Sequence, residues 1–329
     1  MRVMALPLVV MVIAQASLSA LAQAPAGDDW PQLQHDSART GRAVEGVAPP
    51  YQARWIWCGP DATLRNKAVN PAWGDDLNKG KDFPLVMKVP FTFSGAVQPV
   101  SAGGKVFIGD MEGKVYAISL DDGKTLWTGE NPGGTVASAA VTGGTVVVTS
   151  TPGAVVGLDV QTGQRKWRIE TPKAITGSPL AVGGKVFSGC HDGKVYAIDA
   201  ESGKLLWTAD LKAPIVADLC ADDKAVYVGA EDMWFHKLDT ATGKPLAKAR
   251  LMGQSFRMEH PVLYKDMLFV QTVQGFCVGS EYAMEELMKD PADTDIAAEQ
   301  KLILRWLAGD TNGGKWADGA QNPGANWPN

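Results

Sequence analysis

From residue 96 to residue 279 the chain is written in short runs of alternating apolar and polar residues, separated by glycine-bearing turns. Val106 and Ile108 fall on one side of such a run and Phe107 on the other. A period of two predicts strands rather than helices. The runs recur every 40 positions: Val106, Val146, Val186 and Val226 share one place, and Ile118, Leu158, Ile198 and Leu238 a second. Gly123, Gly163, Gly203 and Gly243 share a third. Trp127, Trp167 and Trp207 share a fourth, where the last copy has Ala247. Within the first copy the pattern predicts strands at Gln98–Ser101, Lys105–Gly109, Lys114–Leu120 and Thr125–Thr128. The Gly-Gly and Asp-Gly turns between them suit a backbone that must take positive φ. Four short strands per 40-residue copy predict an all-β fold, a β-propeller of four-stranded antiparallel blades.

The pattern weakens at both ends. After Met258 the register shifts by two, and Pro261–Tyr264 and Met267–Gln271 read as the first strands of a fifth blade. Gly275–Val278 begins a third strand there. Ser280 and Asp295 then cap two helical stretches, Glu281–Lys289 and Ile296–Leu307, which predicts a helical insertion over 280–308 and an irregular tail over 309–329. Ahead of the blades (96–279), the segment 23–95 is irregular except where Arg54-Trp55-Ile56-Trp57 alternates like a strand. That strand is expected to close the ring by pairing with the last blade, which removes an open edge. A ring of seven or eight blades needs about 280–320 residues at roughly 40 per blade. Five are visible, so the chain is read as a fragment of a longer protein, the alternatives being degenerate segments or a partner.

Residues 1–22 read as a signal peptide: Arg2, an apolar run from Met4 to Ala14, then Ala20-Leu21-Ala22 before the cut. The run is shorter than the roughly 20 residues of a membrane-spanning helix. The chain is therefore expected to be exported, to the periplasm or the extracellular space, with no membrane span. A net charge of −5 and the lack of a basic stripe argue against nucleic acid as a partner. Cys58, Cys190, Cys220 and Cys277 form neither a CxxC nor an adjacent pair. Disulfides and buried free thiols both remain open, and the pairing is not fixed by spacing. His35 and His236 have no companions that would suggest zinc.

The stretch from Gly113 to Trp127, Gly-Lys-Val-Tyr-Ala-Ile-Ser-Leu-Asp-Asp-Gly-Lys-Thr-Leu-Trp, resembles the tryptophan-docking repeat of the PQQ-like (quinoprotein-type) propellers. So does the stretch from Gly193 to Trp207. Asp29-Trp30-Pro31, with Ala38-Arg39-Thr40-Gly41 after it, resembles the opening of secreted members. The resemblance implies that Trp127, Trp167 and Trp207 pack between neighbouring blades. Gly123, Gly163, Gly203 and Gly243 would permit the turns, and Ala117 would stay small to admit a ring. Enzymatic members hold pyrroloquinoline quinone and Ca²⁺ over the channel. They need a stacking Trp, Asn and acidic calcium ligands, an Asp base and often adjacent cysteines. The chain has no Cys-Cys pair and no acidic cluster with calcium-site spacing. No catalytic residue and no cofactor are therefore expected, and the function expected is that of an exported binding or assembly scaffold. The alternative is a PQQ-dependent dehydrogenase, or a fragment of one, with quinone and calcium.

In an antiparallel blade whose strands are lettered A to D in chain order, the B–C turns and D–A links share one face. Here the turns supply Asp110, Glu112, His191, Asp192, Glu231 and Asp232, and a link supplies Arg257. Loops carried by a rigid scaffold are where binding usually resides. This face is the candidate for a protein partner or a small ligand. Glu259 and His260 precede the fifth blade's first strand and are placed towards the channel, where an imidazole could act as ligand or base.

Overall fold

The computed structural model describes residues 29–43, 49–61, 63–73, 93–94, 97–251, 255–256, 260–264 and 267–271. The signal peptide, Arg257, Cys277, both expected helices and the tail lie outside the described residues. A hairpin comes first, β1 (Trp55–Trp57) and β2 (Thr63–Arg65). Four complete blades follow. They are β3 to β6 (Val100–Ala102, Lys105–Gly109, Lys114–Ser119, Thr125–Glu130) and β7 to β10 (Ala140–Thr142, Thr145–Ser150, Ala154–Asp159, Arg165–Glu170). Next are β11 to β14 (Leu180–Val182, Lys185–Gly189, Lys194–Asp199, Leu205–Asp210) and β15 to β18 (Cys220–Ala221, Ala225–Gly229, Trp234–Asp239, Pro245–Arg250). Each is a four-stranded antiparallel sheet in sequence order, and β19 (Val262–Tyr264) and β20 (Met267–Phe269) open a fifth. The fold is all-β, built of propeller blades.

The first strand of the first blade starts two residues later than the alternation suggests. The Gln98 N–H is taken by the Ser138 hydroxyl at 2.8 Å rather than by a strand. The third strands stop where a polar side chain folds back into the turn. Asp159 Oδ1 accepts the N–H of Gln161 and Thr162 and the Thr162 hydroxyl, at 2.8–3.0 Å. Asp199 and Asp239 do the same with Ser202 and Thr242. Such side-chain turns mimic a backbone turn and set the chain up for the glycine that follows.

That glycine receives the neighbouring blade. Gly163 has φ +72°, and a Cβ there would sit 2.4 Å from Trp127 Cε3. At Gly203 it would sit 2.4 Å from Trp167 Cγ, and at Gly243 2.5 Å from Trp207 Cε3. Each indole N–H then donates to a carbonyl of the receiving blade: Trp127 to Val160 at 3.1 Å, Trp167 to Ala200 at 3.0 Å, Trp207 to Thr240 at 3.2 Å. On its own sheet each tryptophan lies opposite a small residue, Ala117, Gly157 or Ala197. At Gly157 a Cβ would come within 2.2 Å of the ring, so a side chain there would force the indole to shift. Val156 and Leu158 of one blade and Phe107 and Trp127 of the one before share a buried cluster. Burial of apolar area between sheets adds to these hydrogen bonds in holding blade to blade.

A fourth docking tryptophan stands outside the 40-residue repeat. Trp55 lies against Gly123, 2.6 Å from where a Cβ would be, and its N–H donates to Leu120 O at 3.1 Å. Leu120, Val160, Ala200 and Thr240 are equivalent positions, so the hairpin does for the first blade what Trp127 does for the second. The expected ring-closing strand thus pairs with β2 (Trp55 opposite Arg65), and its described tertiary contact is with the first blade.

Residues 29–41 run along the inner strands. Trp30 and Ser101 exchange both backbone bonds, at 2.9 and 2.8 Å. Val141 N–H donates to Pro31 O, Ala221 N–H to Ser37 O and Leu263 N–H to Ala38 O. Gln32 covers the third blade with its side chain, accepting from Ala181 N–H at 2.9 Å and donating to Ala181 O at 3.2 Å. Arg39 is 1% exposed. Its guanidinium donates to Leu33 O, Leu219 O and Pro179 O at 2.7, 2.9 and 3.4 Å.

Cys58, Cys190 and Cys220 are buried, the last two as free thiols. Burial pushes Cys220 up to about 12 and raises Cys190 as well, so both stay protonated at neutral pH. Among the described residues no helix is long and apolar enough to cross a membrane.

Candidate functional site

The loop face gathers the B–C turns and D–A links, and most of its candidate residues hold the loops in place. Asp110 is 1% exposed. One oxygen accepts the N–H of Glu112 and Lys114 at 3.0 and 2.7 Å, and the other accepts the Tyr116 hydroxyl at 3.0 Å. Asp192 repeats this in the third blade, with Lys194 N–H at 3.0 Å and the Tyr196 hydroxyl at 2.6 Å. Burial first, and then these carboxylates, raise both tyrosines well above the usual phenol range. The two hydroxyls therefore stay protonated and keep donating.

His191 and Glu231 tie a turn to a neighbouring link. The Thr176 hydroxyl lies 2.9 Å from His191 Nε2 and 3.1 Å from Val216 O. Its one proton serves the carbonyl, so the imidazole nitrogen is the donor to Thr176. Glu231 accepts the Ser255 hydroxyl at 3.0 and 2.8 Å and the Phe256 N–H at 3.1 Å. Phe256 is then held over Gly229, as Ile215 is over Gly189. Glu112 and Asp232 remain exposed, with Asp232 only capping Trp234 N–H at 3.1 Å. The candidates divide accordingly: Asp110, Asp192, His191 and Glu231 hold loops, while Glu112 and Asp232 face solvent.

A second polar group lies beside the inner strands, and the alternation of apolar and polar residues gave no hint of it. Gln98 N–H donates to Ser138 Oγ at 2.8 Å, Ser138 N–H to Ser178 Oγ at 3.2 Å, and Ser178 N–H to Asp218 Oδ1 at 2.5 Å. The four positions are 40 apart, so one hydrogen bond passes from blade to blade. Each lies two residues before its inner strand, and His260 holds that place before β19. Asp218 and Asp36 also oppose the lowering that burial imposes on the Arg39 guanidinium. The signal in the sequence was the polar residue at 98, 138, 178 and 218, hidden because its identity changes from copy to copy.

The family model described as outer membrane protein assembly factor BamB matches residues 67–215, 167–246 and 191–285. No curated protein matches the chain in sequence. Among solved structures, BamB from Moraxella catarrhalis is 23% identical over 54% of this chain and 53% of its own, with a TM-score of 0.45. The computationally designed Ika8 protein is 21% identical over 52% and 53%, at 0.47. A quinohemoprotein alcohol dehydrogenase from Pseudomonas putida HK5 is 20% identical over 48% and 34%, at 0.41. The chain spans about half, or less, of the length of these structures.

Proposed function

From the premise that this chain belongs to the PQQ-like repeat family, the one whose model is described as outer membrane protein assembly factor BamB, we propose that it is an exported scaffold. It works in the periplasm and binds a protein partner through its loop face without catalysing a reaction. The observation that carries this reading is the use made of the loop-face side chains. Asp110, Asp192, His191 and Glu231 are spent on fixing turns and links. What results is a stiff display of outward groups, Glu112 and Asp232 among them, and stiffness lowers the ordering cost of binding.

The enzymatic alternative finds less support among the described residues. A quinone needs an open indole face, and the docking indoles of Trp55, Trp127, Trp167 and Trp207 each lie on a glycine. Calcium takes about six to eight oxygens, and no group of three His, Cys, Asp or Glu among the described residues could hold a metal ion.

The test uses the purified full-length chain. Absorbance titration with pyrroloquinoline quinone and Ca²⁺, followed by an alcohol- and sugar-oxidation assay, is expected to give no saturable binding and no turnover. Crosslinking to envelope proteins should give a discrete partner that is lost with Glu112→Lys and Asp232→Lys. Quinone-dependent turnover would refute the proposal.

A further inference from the structure

An inner strand pairs with only one neighbour, so its other edge offers unpaired N–H and C=O groups to any extended peptide. In this chain that edge is taken five times by one short segment. The receiving residues are Ser101, Val141, Ala181, Ala221 and Leu263, each the second residue of its inner strand. The two-residue register shift after Met258 is followed as well, since the fifth contact falls at 263 and not 261. No surface packing chosen at random would meet the same place in five consecutive blades.

The segment is shaped to this task. Gln34, His35 and Arg39 all take positive φ, at 54°, 73° and 60°. Non-glycine residues rarely adopt this region and do so only where surrounding structure fixes them. Asp36 pins the bend by accepting Thr40 N–H at 2.9 Å and the Thr40 hydroxyl at 2.5 Å. The bend aims Arg39 at carbonyls of the third and fourth blades, Pro179 and Leu219, which no ladder bond would reach.

We propose that residues 29–41 are a clasp, a bent segment supplied in cis that shuts the inner edges of the five blades. It makes the blades one cooperative unit and denies those edges to any other extended segment. A scaffold of stacked blades otherwise gains stability mainly from neighbour-to-neighbour contacts and can open piecemeal. The clasp touches both the first blade, at Ser101, and the fifth, at Leu263.

A full-length chain carrying a protease site within 44–48, cut after folding, gives the decisive measurement. The N-terminal fragment should stay bound through gel filtration, and the cut protein should melt in a single transition. Release of the fragment together with collapse of the native melt would also support the clasp. Release with the melt unchanged would overturn it. A fluorescent peptide of residues 27–43 should exchange into the cut protein slowly, and Arg39→Ala should speed the fragment's release by at least about tenfold, as expected for losing a charged hydrogen bond. Gln32→Ala, a milder change should the arginine variant not fold, is expected to speed it less. Retention indifferent to both substitutions would equally overturn the proposal.

Discussion

The second and fourth blades have the same strand order, nearly the same turns, and opposite ways of meeting the blade that follows. In the second, Trp167 stands opposite Gly157, is 8% exposed and docks on Gly203. In the fourth, Ala247 stands opposite Lys237, and β18 is exposed along almost all its length. Lys237 turns its ammonium to the Tyr227 ring, 5.4 Å away. Large-opposite-small has become small-opposite-large at one cross-strand pair. The tryptophan and the missing side chain facing it are therefore a single device, present or absent as a pair. Where it is absent, Phe235 and Phe256 with ring centroids 5.8 Å apart fill the inner half of the junction instead.

This contrast can be broken most severely at the second blade. Trp167→Ala should lower stability by about 3–5 kcal/mol in urea unfolding, because the indole leaves a cavity and an unpaired carbonyl. Trp55→Ala should cost about 1–2 kcal/mol, less than Trp167→Ala, because the hairpin indole is only half covered. Restoring a tryptophan to the fourth blade should fail by itself. Ala247→Trp crowds Lys237 off the Tyr227 ring and should cost about 0.5–1 kcal/mol, the worth of that contact at an exposed site. Ala247→Trp with Lys237→Ala should recover that loss, with a coupling energy of about 0.5–1 kcal/mol in a double-mutant cycle. Additive losses would show that the pair is not one device.

The smallest effect concerns the turns. The Thr162 hydroxyl holds the Asp159 carboxyl below its ordinary value, and Thr242 does so for Asp239. A depressed carboxylate contributes stability that is present above the unfolded value, near about 4, and is lost as pH falls through the lower folded value. Thermal melts from about pH 6 to about pH 2 should fall less steeply for Asp159→Asn than for the parent. An identical slope would remove the turn carboxylate from the account.

The blades were legible because their requirements repeat. A strand needs alternation, a docked indole needs a glycine, and both recur at one spacing. Trp55 was not legible as a docking residue because its carbonyl partner lies 65 positions on, where the repeat uses 33. Ala247 stood out as an exception, but Lys237 did not, since pairing across strands is invisible until register is known. On the loop face, residue type predicted location but not availability. Asp110 and Glu112 look alike in the chain, and only the Tyr116 hydroxyl and two N–H groups separate a buried strut from an outward charge. The segment 29–41 left the faintest trace, because most of its pairing is done by backbone, which every sequence possesses. Gln32 and Arg39 were the side chains that could have raised the question.

The pairing of Ala38 with Leu263 and of Arg39 with Leu219 also orders events in time. The first contact waits for the fifth blade and the second for the fourth, so neither can form until those blades have been made. Closing so long a loop is slow compared with building a local hairpin. The start of segment 29–41 can meet Ser101 and Val141 as soon as the first two blades exist, but this segment, made first, is fully seated only once the fifth blade has been made.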